Sequence, residues 1–437
     1  MSTKLRTIFA APGGSWGGLF TKEEREREIE RFKDKLNGIK LLLPNVEFTE
    51  EELKSREDLP KLDEDKGEDG ILFFSLSGGV DEPIFRAMDK GLPMILFVEP
   101  YSWHVWCREA LKTHKNADKL MLLSTTDFGE VVGKIKVIDA YKRLRETKIL
   151  LFEERKGDAV KLIYGADTIQ GYGIGDMEAK FGVRIEKTDK QVILDAYENV
   201  NDEDARTVAD SLIEEAEWVV EPGREDIFRA SKLYLAMKGV IEEREANAIT
   251  IDCLAMLHVL PTTPCLGFSL LNDEGICAAC EADLNSLMTM LVFRYLADVP
   301  SFITDPVIDT ADNSVIHAHC VAPTKMDGRN RERFIIRNHS ESRTGVSLQV
   351  KMREGQKVTV AKFADLNRML ISTGTIIGNP DLDRACRTKV KVRVRNARRM
   401  LRTFSGGLHR VLAYGDHVEA ISDLCRLLGI EVVEEDE

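Results

Sequence analysis

At 437 residues the chain is too long for one ordinary hydrophobic core, so two or three domains are expected. Hydrophobic content of 43% and charged content of 31% are those of a soluble globular protein, and no apolar run approaches the roughly 20 residues that span a bilayer. The net charge of −13 argues against a nucleic-acid-coating protein, no long apolar stretch follows Met1, and eight unevenly spaced cysteines are not a secreted disulfide framework, so a cytoplasmic protein with no membrane or nucleic-acid partner is expected.

The first 150 residues alternate apolar, strand-like runs with charged helices. Thr7 to Pro12 reads as a strand ending in a Gly-rich turn, and Lys22 to Leu36 as a helix with a strongly charged face. Ile71–Ser75, Met94–Val98 and Leu120–Leu123 read as further strands, separated by helices. Continuous apolar strands of this kind belong to a parallel sheet covered on both faces. A helix from about Phe128 to Thr147 is expected to bridge to a second α/β unit. That unit begins at Lys148–Phe152 and continues through helices at Glu203–Ala216 and Arg224–Ala246 to a strand at Ala248–Asp252.

After about Val321 the pattern changes. Phe334–Ile336, Val346–Val350 and Val358–Val360 are short strands, and Lys389–Arg395 alternates with period 2, the pattern of a strand with one buried and one wet face. An antiparallel, barrel-like domain is expected, closed by a helix from Val418 to Leu428 that stops at Gly429. The expected boundaries are 1–147, 148–323 and 324–437. Residues 325–402 hold 20 Lys/Arg against 7 Asp/Glu, so this basic segment is either a solvated β surface or faces an anionic partner or substrate.

The residues with chemical potential cluster in the middle of the chain. Leu271 to Asp283 is a dense block of acids, small residues and thiols; an apolar helical run follows, then Phe302-Ile303-Thr304-Asp305 and His317-Ala318-His319-Cys320. Oxygen and imidazole donors are thereby delivered to the ends of buried elements, which is how a fold builds a divalent-metal site with acid/base carboxylates. Glu281 is expected to open the helix that follows it, and Asp305 to lie at a strand end because Pro306 interrupts pairing. Each alone also fits an ordinary surface acid. His317 and His319 alternate onto one strand face, where satisfied core imidazoles are equally at home. His409 follows Gly406-Gly407, which permit close backbone approach or simply turn the chain. Cys277-x-x-Cys280 lacks a second pair and reads as buried thiols packed as small hydrophobes. Gly171–Gly175 and Ser77–Gly79 are phosphate-loop candidates that match neither a Walker loop nor a dinucleotide fingerprint.

Together these segments resemble the L-fucose/L-arabinose isomerase superfamily. The similarity runs from Leu266 to Pro323, resumes at Gly355–Ala361 and Ser372–Gly374, and closes with Gly407-Leu408-His409-Arg410-Val411-Leu412-Ala413-Tyr414-Gly415-Asp416. The resemblance implies two Rossmann-like, doubly wound parallel-sheet domains and a C-terminal domain containing an antiparallel β-barrel. It implies a manganese-dependent aldose–ketose isomerase, with Mg²⁺ or another divalent ion as substitute, acting on a free or anionic monosaccharide through a cis-enediol. Metal ligands would be Glu281, Asp305 and His409, with Glu281 and Asp305 also moving protons. His319, preferred over His317, would be a substrate contact or fourth ligand. A homo-oligomer, trimer or hexamer, is implied as well. The alternative is a non-catalytic sugar-binding or regulatory relative retaining the fold.

Overall fold

Runs such as Ile-Leu-Phe-Phe and Met-Ile-Leu-Phe-Val carry no polar face, so they are stable as strands only when both faces are covered. The computed structural model describes residues 2–13, 21–100, 107–153 and 173–437. The chain divides into two compact units, Met1–Arg143 with Glu419–Gly429, and Leu144–Val418 with Ile430–Glu437.

The first unit holds β1 (Thr3–Ala10), β2 (Val46–Leu53), β3 (Gly70–Ser75), β4 (Met94–Val98) and β5 (Leu120–Ser124) in one sheet of order β2-β1-β3-β4-β5. Every pairing is parallel. β3 and β4 are buried along their whole length, as their composition requires. Phe74 is fully buried and lies 5.3–5.7 Å, centroid to centroid, from Phe9, Phe32, Phe97 and Phe128. The Gly-rich turn expected after Pro12 lies largely outside the described residues. Ser77–Gly79 follows β3, where Ser77 Oγ accepts from the Gly13 N–H at 3.2 Å. The next helix, Asp81–Asp89, begins with Asp81 and Glu82, which oppose rather than invite a phosphate. The helix Val418–Leu427 ends before Gly429 in a left-handed conformation, as expected. It belongs to this first unit, where Asp423 pairs with Lys134 at 2.6 Å.

The second unit contains a parallel sheet of order β10-β9-β6-β7, built from β6 (Lys148–Phe152), β7 (Arg184–Lys187), β9 (Ala248–Ile251) and β10 (Cys277–Cys280). Between β7 and β9 lies the two-residue β8 (Trp218–Val219). Of the phosphate-loop candidate Gly171–Gly175, the first two residues lie outside the described residues. Gly173 caps the helix Ile174–Phe181, and its N–H is taken by Asp176.

Beyond these, β11 (Phe302–Asp309) and β12 (Ser314–His319) precede β13 (Arg333–Arg337), β14 (Ser347–Lys351), β15 (Lys357–Phe363), β16 (Arg368–Gly378), β17 (Thr388–Arg393), β18 (Arg410–Tyr414) and β19 (Glu431–Glu434). Six of them run β15-β18-β11-β12-β17-β16, and β15 pairs β16 to close an antiparallel barrel; β19 adds to β16 in parallel. At Gly374 a Cβ would come within 2.4 Å of the Val392 side chain and 2.5 Å of the Arg393 carbonyl, so only glycine lets β16 cross β17 this closely.

Three expectations are corrected. β11 and β12, upstream of residue 323, pair into the barrel rather than into the second parallel sheet. β13 and β14 do not join the barrel; with β8 they form a separate sheet of order β14-β13-β8. In β17 the face expected to be wet is not uniformly so, since Lys389 is only 8% exposed. Among the described residues, no helix is long and apolar enough to cross a membrane.

Replacing Phe74 with Ala removes the ring at the centre of the aromatic layer. It should cost the first unit about 3–5 kcal/mol in denaturant unfolding. A loss below about 1 kcal/mol would show that the five rings are not one packed layer.

Candidate metal centre

β9 and β10 run side by side and end together, with Cys280 in register with Ile251. Three residues apart on a strand, Cys277 and Cys280 fall on opposite faces and do not form a common bite. Both are buried, and neither is in a disulfide. The chain then turns sharply through Glu281 at φ 64° and Ala282 at φ 55°, both in the left-handed region that non-glycine residues avoid. The Ala282 N–H donates to the Ile251 carbonyl at 3.1 Å and holds the turn against β9. Glu281 therefore does not open the helix. That helix is Leu284–Ala297, with Asp283 as its N-cap, so the Glu281 carboxylate is aimed by a strained turn and not by a helix terminus.

Asp283 sets the local electrostatics. One carboxylate oxygen accepts the Ser286 N–H at 2.8 Å. The other accepts Ser286 Oγ at 2.6 Å, Lys362 Nζ at 2.5 Å and His409 Nδ1 at 2.8 Å. Asp283 and Lys362 are both buried. Burial alone would raise the carboxyl pKa, but the Lys362 ammonium and His409 overcome it and hold the group well below the usual carboxylate range. An ionised acceptor fixes the imidazole proton on His409 Nδ1 and leaves the Nε2 lone pair facing outward.

His409 is presented by a loop that Arg410 ties down. The Arg410 guanidinium donates to the carbonyls of Ser405, Gly407 and His409 at 2.8–3.0 Å and is clamped by both oxygens of Glu435. Gly406, at φ 70°, packs where a Cβ would lie 2.7 Å from Ala364, so the close approach expected of this glycine is present.

From that loop, His409 Nε2 lies 3.5 Å from Asp305 Oδ1 and 3.7 Å from Glu281 Oε2. Asp305 is not at a strand end. β11 continues to Asp309, and Pro306 sits opposite His317 of β12. Pairing of β11 with β18 does stop at Thr304, so the missing N–H of Pro306 leaves no bond unmade on that side.

The two histidines of β12 differ in kind. His317 Nδ1 lies 2.9 Å from Thr304 Oγ1, which itself donates to the Arg410 carbonyl, so the ring donates and is satisfied. Burial, with Arg410 nearby, pushes its pKa down to about 3 and keeps it neutral. His319 Nε2 faces Glu281 Oε1 at 3.6 Å and Cys280 Sγ at 3.5 Å, while Nδ1 accepts the Cys320 N–H at 2.9 Å. Burial works against a proton on this ring, but Glu281 and Asp305 outweigh it and raise the pKa to about 9. That pKa concerns a second proton, which the Cys320 N–H opposes at Nδ1; the first proton sits on Nε2, which points at Glu281.

Two groups of side chains could hold a metal ion, Cys280 with Glu281 and His319, and Asp305 with His319 and His409. The structure thus brings Glu281, Asp305, His319 and His409 together and separates His317 from them. Asp283, Lys362 and Arg410 escaped the sequence reading. Asp283 alone carried a legible signal, an acidic residue directly before an apolar helical run.

Part-buried carboxylates and buried imidazoles converging where a parallel sheet ends beside an antiparallel barrel make a site that could hold a metal ion. No family model matches the chain. It is similar to a sulfoquinovose isomerase of Clostridium sp. (strain MSTE9), 24% identical over 290 residues, which is 62% of this chain and 64% of that protein. It is similar also to the sulfoquinovose isomerases of Priestia aryabhattai, 23% identical over 238 residues (50% and 53%), and Alkalicoccus urumqiensis, 21% over 308 residues (68% and 67%). The chain therefore matches just under two thirds of the length of the first of these relatives.

Asp283→Asn leaves the buried Lys362 ammonium without its counter-charge and should destabilise the second unit by about 3–5 kcal/mol. Asp283→Asn combined with Lys362→Met should recover most of that loss. If urea unfolding shows the double variant no more stable than the single, the ion pair is not what Asp283 contributes.

Proposed function

We propose that the protein is a metal-dependent aldose–ketose isomerase acting on a free or anionic monosaccharide. The observation that carries the reading is a pair of atoms, Asp305 Oδ1 and His409 Nε2. They are buried, 3.5 Å apart, and without hydrogen-bond partners among the described residues. Buried acceptors facing each other repel unless a cation or donor lies between them. With Glu281 Oε2 nearby, the donor set of two carboxylates and an imidazole fits Mn²⁺ first and Mg²⁺ next. The names of the relatives support the same reaction class, independently of the geometry.

In this reading Glu281, Asp305 and His409 hold the ion, and Asp283 keeps His409 in the ligating tautomer. The bound ion would supply Lewis-acid polarisation of the sugar oxygens. Isomerisation requires a proton to leave C2 and one to arrive at C1 through a cis-enediol. Glu281 and Asp305 reach the same small volume from different elements and serve as base and acid. His319 stands beside them as a substrate contact or a fourth ligand. A homo-oligomer, trimer or hexamer, belongs to the same proposal.

Glu281→Gln and Asp305→Asn should each lower turnover by about 10²–10⁴-fold while the protein stays folded. Chelation should abolish interconversion across a panel of pentoses, 6-deoxyhexoses and sulfonated or phosphorylated hexoses, and added Mn²⁺ should restore it for one of them. Bound Mn²⁺ with no interconversion of any sugar in the panel would favour a non-catalytic sugar-binding protein. Near-normal turnover in either variant would remove that residue from the mechanism.

A further inference from the structure

Cys320 and Cys386 are distant in sequence and meet in the fold. β12 and β17 pair as far as His319 opposite Thr388, so the two cysteines lie just past the last pair of two neighbouring strands. Their thiols are in hydrogen-bond contact. Ala385, at φ 59°, turns the chain immediately before Cys386. That turn is fixed on both flanks. The Ser340 hydroxyl donates to the Ala385 carbonyl at 2.6 Å, and Arg387 Nε donates to the Asn338 carbonyl at 2.9 Å. From the same segment, the Ser340 N–H donates to the Cys320 sulfur. The backbone around the two sulfurs thus sets them against each other.

The pair is also reachable from solvent on one side. Cys320 is 1% exposed, whereas Cys386 is only partly covered and follows an exposed stretch, 381–385. Cys253, Cys265 and Cys280 lie near the same site, but all three are buried. A dissolved oxidant therefore meets Cys386 before any of those three, and Cys320 is the thiol that Cys386 touches. A disulfide needs its two Cα atoms about 4.4–6.8 Å apart, a range that neighbouring antiparallel strands supply.

We infer that Cys320 and Cys386 form a modification site, a thiol pair that a low-molecular-weight disulfide converts reversibly to an intrachain disulfide. The Cys386 thiolate attacks one sulfur of the small disulfide, forming a mixed disulfide and releasing one small thiolate. The Cys320 thiolate then attacks the Cys386 sulfur and expels the second. Two protein thiols are oxidised, one small disulfide is reduced to two small thiols, and the two protons pass from the protein to the released thiolates.

The bond bears on the metal centre through one residue. The Cys320 N–H donates to His319 Nδ1 at 2.9 Å. An S–S bond of about 2.05 Å is shorter than any contact between thiols, and Cys386 is clamped through its neighbours by Ser340 and Asn338. Closure therefore draws on Cys320 and on the ring that its N–H holds. Lowered turnover is the expected consequence, and it rests on the isomerase reading; the disulfide itself does not.

The test equilibrates the full chain, with Mn²⁺, in glutathione disulfide. The remaining thiols are alkylated, linked peptides are mapped by mass spectrometry, and sugar turnover is followed in the same samples. The wild type should yield a Cys320–Cys386 peptide that disappears in excess reduced glutathione, and Cys386→Ser should yield none. The oxidised wild type should lose turnover about tenfold and regain it on reduction, while Cys386→Ser keeps its turnover in the oxidant. Absence of the linked peptide, a mixed disulfide that stops at Cys386, or Cys320 joined to Cys265 instead overturns the inference. A Cys320–Cys386 bond that leaves turnover unchanged sustains the modification site and overturns its coupling to His319. A reduced protein that turns over no sugar removes the isomerase reading, and the mapped peptide then decides the inference by itself.

Discussion

The carboxylate of Asp283 is the group on which the site depends. It caps the helix Leu284–Ala297, takes the buried Lys362 ammonium from β15, and receives His409 Nδ1 from the loop before β18. Three separate stretches of chain thus meet at one charge. The arrangement is self-consistent in a specific way: only an ionised carboxylate offers enough acceptor capacity for all of them, and the Lys362 charge together with His409 keeps it ionised while buried. The tautomer of His409, and with it the direction of the Nε2 lone pair, follows from this pairing and not from the ligand set itself.

Much of the fold was legible because it rests on local pattern. The continuous apolar runs of β3 and β4 and the alternating Val390 and Val392 of β17 state their burial in composition alone. The candidate site was legible for a different reason. Glu281, Asp305, His319 and His409 were brought into view by similarity to a known pattern, and the structure brings those four side chains together. What the sequence hid is what depends on long-range pairing. Nothing local tells that Ser314–His319 joins a barrel while Arg333–Arg337 does not, since both are short β segments. Nothing local tells that Lys362, in a strand of otherwise ordinary pattern, meets an acid 79 positions earlier. Glu281 misled for a third reason. An acid just ahead of an apolar helix reads as a first-turn residue, but two consecutive left-handed conformations separate it from the helix and aim it elsewhere.

Those two conformations are costly for Glu and Ala, and their persistence needs a cause in the surroundings. The Ala282 N–H bond to Ile251 fixes one side of the turn, and the Asp283 cap fixes the other. Between these anchors Glu281 has little freedom to relax. The turn therefore holds a carboxylate where neither a regular strand nor a regular helix would place it, over the end of β9 and toward the two imidazoles.

Holding it there has an electrostatic consequence. Glu281 and Asp305 both approach His409 Nε2, an atom that carries no proton while Asp283 claims the one on Nδ1. Two carboxylates and a lone pair pointing inward repel, and the His319 Nε2 proton answers only part of that repulsion. A divalent cation at this point would convert the repulsion into attraction, and its binding free energy would add to the stability of the strands and loops that supply the ligands. Lys362 is a different case, because its charge is balanced within the chain by Asp283 and belongs to the framework.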